Sequence, residues 1–171
     1  MAEQPYSTIL FDWGDTVMYD DNPTSTVPMV EWPNVRVVEG IADLLADLHA
    51  SGRRAVIATG AVISEENQIR GALARVGLDI YFPRIYCFKN TNLPKGEAFY
   101  RYILADLNVS ASDVLMVGDT FEKDVQIPNA LGIYAVWFNQ RSGETRNHEL
   151  HTTVHSMIDL RMFFRMFGRS Y

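Results

Sequence analysis

The chain has 171 residues, 47% of them hydrophobic and 21% charged, with a formal net charge of −6. That length supplies one domain with a real core, burying roughly 70% of the surface the unfolded chain exposes, and two full domains would be cramped. The mild acidity argues against unspecific binding to nucleic acid or to an anionic membrane, while leaving room for a local basic pocket that holds a phosphate.

Residues 6–11 are a short β-branched and aromatic run, read as a buried strand that ends at Asp12, and the Trp-Gly-Asp-Thr that follows reads as a turn. Residues 18–36 hold three prolines and no sustained period, so 17–37 reads as a short flap or cap insertion. Residues 40–51 place Ile41, Leu44, Leu45 and Leu48 at helical spacing, closed by Gly52. Residues 54–58 are a second apolar strand, ending at Thr59. A helix over 64–76 starts with Ser64 as its N-cap, and Asn67 is a weak fourth residue for a capping box.

A short strand is expected at 84–88, a helix at 96–107 and a strong strand at 114–117, ending at Gly118-Asp119. Residues 121–131 read as a helix that Pro128 kinks or ends. A buried strand at 133–138, a polar stretch, a last strand near 152–155 and a helix at about 157–167 complete the chain. Apolar runs alternating with helices predict an α/β fold. Its βαβ units would form a Rossmann-like parallel sheet between two helical layers, as one domain over residues 1–171.

The single cysteine, Cys87, forms no internal disulfide, and no Cys/His cluster has zinc-ligand spacing. The first residues lack the charge and apolar run of a signal peptide, and no apolar run approaches the ~20 residues of a membrane span. A cytoplasmic protein with no membrane and no nucleic-acid partner is the expectation.

In open parallel α/β sheets, ligands bind beyond the carboxyl ends of the strands. The first apolar run ends in Asp12, the second in Thr59 and the third in Asp119, and Lys95 opens the helix before that third strand. Two carboxylates, a hydroxyl and an ammonium therefore share one edge. Such a set suits phosphoryl transfer. A carboxylate attacks phosphorus, a hard divalent ion on carboxylate oxygens offsets the charge, and lysine, hydroxyl and free backbone N–H groups hold the phosphoryl oxygens.

Four motifs in order resemble those of the haloacid dehalogenase (HAD) superfamily. The family's Asp-x-Asp-Gly-Thr is matched by Asp12-Trp13-Gly14-Asp15-Thr16, its strand-end Ser or Thr by Thr59-Gly60, its lysine by Lys95, and its Gly-Asp with a later acidic residue by Gly118-Asp119 and Asp124. The likeness spans roughly residues 6–160. It implies the HAD fold with a minimal cap and a Mg²⁺-dependent phosphohydrolase that works through an aspartyl-phosphate at Asp12. It also implies phosphate held by Thr59, Gly60 and Lys95. The metal would be held by Asp12, the Gly14 backbone carbonyl and Asp119, with Asp124 either ligating or orienting those that do. The short flap resembles the capless class, whose substrates are phosphorylated small molecules or macromolecules and whose oligomeric neighbours can act as lids. Tyr19 and Trp32 are placed to line the entrance.

One departure matters. Family phosphatases use the second Asp of the first motif as general acid/base, and here that place is Gly14, with Asp15 one position later. Thr16 is in register, so this is a substitution and not a slip. General acid–base catalysis contributes about 10²–10⁴-fold. Its loss slows a poor leaving group, unless Asp15 turns inward to replace it. A HAD-fold phosphate-binding or regulatory protein with impaired catalysis is therefore the alternative. Phosphonate-cleaving relatives need a cap lysine, but the lysines here are Lys89, Lys95 and Lys123, none in the flap. Metal-independent dehalogenases fit poorly with Asp119 and a short flap.

Plainer readings compete at each position. Thr59 could merely cap a helix, and Lys95 could be solvated, with Lys89 as its rival. The basic-apolar run after Arg161 reads as a helix packed on the sheet. His148, His151 and His155 lack helical ligand spacing.

Overall fold

The computed structural model describes residues 5–167, so the ends of the expected 1–171 domain, residues 1–4 and 168–171, lie outside the described residues. The apolar runs become parallel strands β1 (Thr8–Phe11), β2 (Arg54–Ala58), β3 (Arg84–Tyr86), β4 (Val114–Gly118), β5 (Tyr134–Phe138) and β6 (His151–Val154). Their order is β3-β2-β1-β4-β5-β6. Every residue of β1 is buried, as a strand covered on both faces requires.

Alternation sorts the core into two layers. On one face Ile9, Phe11, Ile57, Val117 and Val136 meet α1 (Ile41–Ala50), α2 (Glu66–Ala74) and α6 (Met157–Phe167) through Leu44, Leu48, Ile69, Leu73, Leu160 and Phe164. On the other face Leu10, Val56, Met116 and Ala135 meet Phe99, Tyr100 and Ile103 of α4 (Glu97–Leu107). Two short helices, α3 (Phe88–Thr91) and α5 (Ile127–Ala130), complete the set. This is the expected three-layer α/β/α, Rossmann-like parallel sheet.

Several boundaries differ from expectation for identifiable reasons. Residues 121–130 are helical as expected, but in two pieces: a π-helical turn at Phe121–Gln126 runs into α5, whose first turn holds Pro128. Helix α2 is capped by Glu65 and not by Ser64, since the Glu65 N–H donates to Oε1 of Gln68 at 2.8 Å, and Ser64 is buried. In α6, Arg161 reaches Asp43 at 3.4 Å and Asp47 at 2.8 Å on α1, while Leu160 and Phe164 are buried. That helix packs on the sheet as expected. Among the described residues no helix is long and apolar enough to cross a membrane.

The strand order reverses between β1 and β4, the crevice where open sheets bind ligands. Register levels their ends, with Phe11 opposite both Ile57 and Val117.

Candidate active site

Strand β1 delivers Asp12 to the carboxyl edge, where its N–H donates to the Val117 carbonyl at 2.9 Å. Neighbouring β4 delivers Asp119, whose carbonyl accepts the Trp137 indole N–H from β5 at 2.9 Å. Asp124 returns from the π-helical turn. Its Oδ2 accepts the Thr120 N–H at 2.9 Å, and it is fully buried. Gly118 makes that return possible. A Cβ there would stand 2.6 Å from the Asp124 Cβ and closer still to its carboxylate. Asp12, Asp119 and Asp124 each bring an oxygen within 4.8 Å of the others.

Lys95 is not a solvated helix-start residue. It lies one position before the Gly96 cap of α4 with its side chain 3% exposed, and Nζ stands 3.0 Å from Asp12 Oδ1 and 2.5 Å from Asp124 Oδ1. Burial works against its charge, but Asp12 and Asp124 outweigh that and raise its pKa above the ordinary lysine value. Lys89, the rival, is exposed on α3. Burial, then the facing Asp12 carboxylate, push Asp119 up to about 8. Burial lifts Asp124 to about 6 although Lys95 pulls the other way.

Thr59 follows β2 and is buried. Its N–H donates to the Tyr86 carbonyl at 3.0 Å, and its Oγ1 accepts the Ala61 N–H at 3.1 Å. The hydroxyl thus shapes its own turn while keeping a hydrogen to donate. At Gly60 a Cβ would lie 3.4 Å from the Lys95 Cβ, so the turn passes close over the lysine stem.

Asp15 has a left-handed backbone, φ 58°. Its Oδ1 accepts the Asp20 N–H at 3.1 Å and its Oδ2 pairs with Arg141 at 2.5 Å. Arg141 also stands 3.9 Å from Asp119 and is 74% exposed, which places the pair at the rim. Beside Gly14, the nearest side chain is Asp20: a Cβ on residue 14 would lie 3.5 Å from the Asp20 Cβ and 3.8 Å from its Oδ2. Burial, then Asp15, raise the Asp20 carboxyl above its usual range.

These groups line one cavity of about 550 Å³, with Asp12, Thr59, Lys95 and Asp119 at its polar end and Val27, Met29, Trp32, Val62 and Ile63 on its apolar wall. Trp32 lines the entrance as expected, anchored by its indole N–H on the Val27 carbonyl at 2.9 Å. Tyr19 does not line it; its ring lies under Arg36 at 4.5 Å. Asp20, Lys123 and Arg141 also line the cavity, and sequence reasoning missed them in that role. The rule that ligands gather past strand ends would have found Arg141, in the turn after β5. His151 and His155 bond to Asn129 and Asn139, in keeping with a structural role.

The donor set suits a hard divalent cation, with three carboxylate oxygens converging and Asp119 driven toward protonation by burial and then by the facing carboxylates.

A family model described as haloacid dehalogenase-like hydrolase matches residues 25–138, a stretch that begins after Asp12 and carries Thr59, Lys95, Asp119 and Asp124. Among curated proteins there is no match. An uncharacterized protein from Listeria monocytogenes serotype 4b superposes with a TM-score of 0.79 at 21% identity, over 94% of this chain and 97% of that one. Magnesium-bound YfnB of Bacillus subtilis gives 0.72 at 15%, over 93% and 98%. A HAD phosphatase from Thermococcus onnurineus gives 0.64 at 24%, over 80% and 61%. At these identities the likeness is one of fold.

Proposed function

Because this chain belongs to the haloacid dehalogenase-like hydrolase family, we propose that it is a Mg²⁺-dependent phosphohydrolase that cleaves phosphate monoesters through an aspartyl-phosphate at Asp12. The observation that carries this reading is the buried Lys95 ammonium held between Asp12 and Asp124, with Asp119 alongside.

Lys95 holds Oδ1 of Asp12 and leaves Oδ2 to attack phosphorus. The new bond is Oδ2–P, and the bond that breaks joins phosphorus to the ester oxygen. Thr59, Gly60 and Lys95 supply donors to the phosphoryl oxygens as charge builds on them. Asp12, Asp119, Asp124 and the Gly14 carbonyl would hold Mg²⁺. When bound, that ion supplies positive charge offsetting the repulsion between a carboxylate nucleophile and an anionic substrate. The substrate is a phosphorylated small molecule, or a phosphorylated macromolecule whose exposed group reaches in past Trp32.

The test is turnover of an aryl phosphate with Mg²⁺, expected to vanish in Asp12→Asn and on chelation. Failure of every phosphate in a broad panel at saturating Mg²⁺ would refute the reading. Gly14 favours the second reading, a phosphate-binding regulator with impaired catalysis. In that case phosphate and Mg²⁺ bind while hydrolysis stays at background.

A further inference from the structure

A hydrolase of this kind needs a proton for the leaving oxygen and later a base for water, and position 14 carries no side chain to serve. Asp15 is poorly placed to replace it. It lines the cavity too, but the Arg141 guanidinium and the Asp20 N–H take its two oxygens.

A carboxyl nevertheless stands beside Gly14. Met18 pairs with both Gly14 and Val37, and the Tyr19 N–H donates to the Arg36 carbonyl at 2.9 Å, so the flap folds back over the first motif. That return sets Asp20 against Gly14, with its Oδ2 3.8 Å from where a residue-14 Cβ would stand. Asp20 lines the same cavity as Asp12 and Lys95. A Cβ at 14 would stand in ordinary van der Waals contact with Asp20, so a carboxyl borne at either position reaches the same part of the cavity.

We propose that Asp20 is the general acid/base of this site, delivered from the flap in place of the missing first-motif carboxyl. The assignment rests on the hydrolase reading above. In the first step Asp12 Oδ2 bonds to phosphorus, the ester P–O bond breaks, and Asp20 gives its proton to the departing oxygen, releasing the alcohol. In the second step the Asp20 carboxylate takes a proton from water as the water oxygen bonds to phosphorus. The Oδ2–P bond then breaks, phosphate leaves, and Asp12 and the protonated Asp20 are restored.

The experiment compares an alkyl phosphate, whose leaving oxygen needs a proton, with p-nitrophenyl phosphate, whose leaving group does not. In Asp20→Asn, alkyl phosphate turnover should fall about 10²–10⁴-fold. One burst of nitrophenol per active site should survive, followed by a stall with phosphorylated Asp12 detectable by mass spectrometry. Adding Gly14→Asp to Asp20→Asn should recover alkyl phosphate turnover. Asp20→Ser supplies the same comparison should the Asn variant unfold by circular dichroism. Wild-type turnover of both substrates that survives these variants, or falls equally for both without a burst, overturns the role of Asp20 alone. A wild-type protein that turns over neither substrate overturns the hydrolase reading and this role with it.

Discussion

Replacing Gly118 by alanine should damage the site without replacing any charged group. The backbone there is not left-handed, so strain in φ is not the issue. The new methyl would lie 2.6 Å from the Asp124 Cβ and closer still to its carboxylate, so reaching an ordinary 3.4 Å contact takes a retreat of about 1 Å. Asp124 is fully buried, with Oδ2 on the Thr120 N–H at 2.9 Å and Oδ1 on Lys95 at 2.5 Å, so it cannot retreat and keep both. A hydrogen bond to a charged group contributes about 1.5–3 kcal/mol. Losing or stretching one predicts a destabilisation of about 2–3 kcal/mol. At this chain length 1 kcal/mol corresponds to about 2–4 °C in Tm, which gives a drop of roughly 4–12 °C. Urea unfolding measures the first figure and a thermal scan the second. Mg²⁺ affinity, read by calorimetry, should weaken in parallel. The decisive control is a double-mutant cycle with Asp124→Ala. Once the carboxylate is gone the methyl has room, and the coupling should reach about 1–3 kcal/mol. A Gly118→Ala protein within about 0.5 kcal/mol of wild type, the range of an ordinary surface substitution, with no coupling, would refute this packing argument.

Removal of metal should expose a pH dependence. Asp119, facing Asp12, Asp124, Asp15 and Arg141, has its carboxyl raised from 3.8 to about 8 and Asp124 is raised to about 6, so the folded chain keeps protons that the unfolded chain releases. The resulting stability is fully present below the unfolded value and is lost as pH rises through the folded ones. Metal-free protein should therefore melt lower at pH 8 than at pH 5, and Mg²⁺ should raise Tm more at pH 8, since it binds ionised carboxylates. A flat profile with equal Mg²⁺ effects would contradict this.

Far from the site, Arg53 is 8% exposed; its NH1 meets Ser51 Oγ at 3.3 Å and its guanidinium lies over the Phe164 ring at 5.5 Å, while Nε and NH2 make no hydrogen bond among the described residues. Replacing an unsatisfied buried group by an apolar one recovers about 1–3 kcal/mol, so Arg53→Met should be neutral or more stable in a thermal scan. A clear fall in Tm would show that the contact with the Phe164 ring outweighs the unbonded nitrogens. Thr59→Val should lose the Oγ1 bond to the Ala61 N–H, costing about 1 kcal/mol and weakening inorganic phosphate binding. Unchanged phosphate affinity would restrict Thr59 to shaping the turn.

The chain alone determined the alternating α/β pattern and the three strand tips carrying Asp12, Thr59 and Asp119. Hydrophobic runs and the residue that ends each one are local features, and a parallel sheet must bring those ends to one edge. The four motifs pointed to Lys95 and Asp124 as well, but left open whether the lysine was solvated. Folding decided that, because its partner Asp12 lies 83 residues away. The π-helical turn, invisible to a helix-period reading, aims Asp124 back over Gly118. Arg141 meets Asp15 across 126 residues, and the flap brings Asp20 to the space beside Gly14. Which way a loop carboxyl points depends on backbone angles and on distant segments packed against it. Sequence periodicity carries neither, so the placement of Asp15 and Asp20 was decided by tertiary contacts, while that of Asp12 at a strand tip was not.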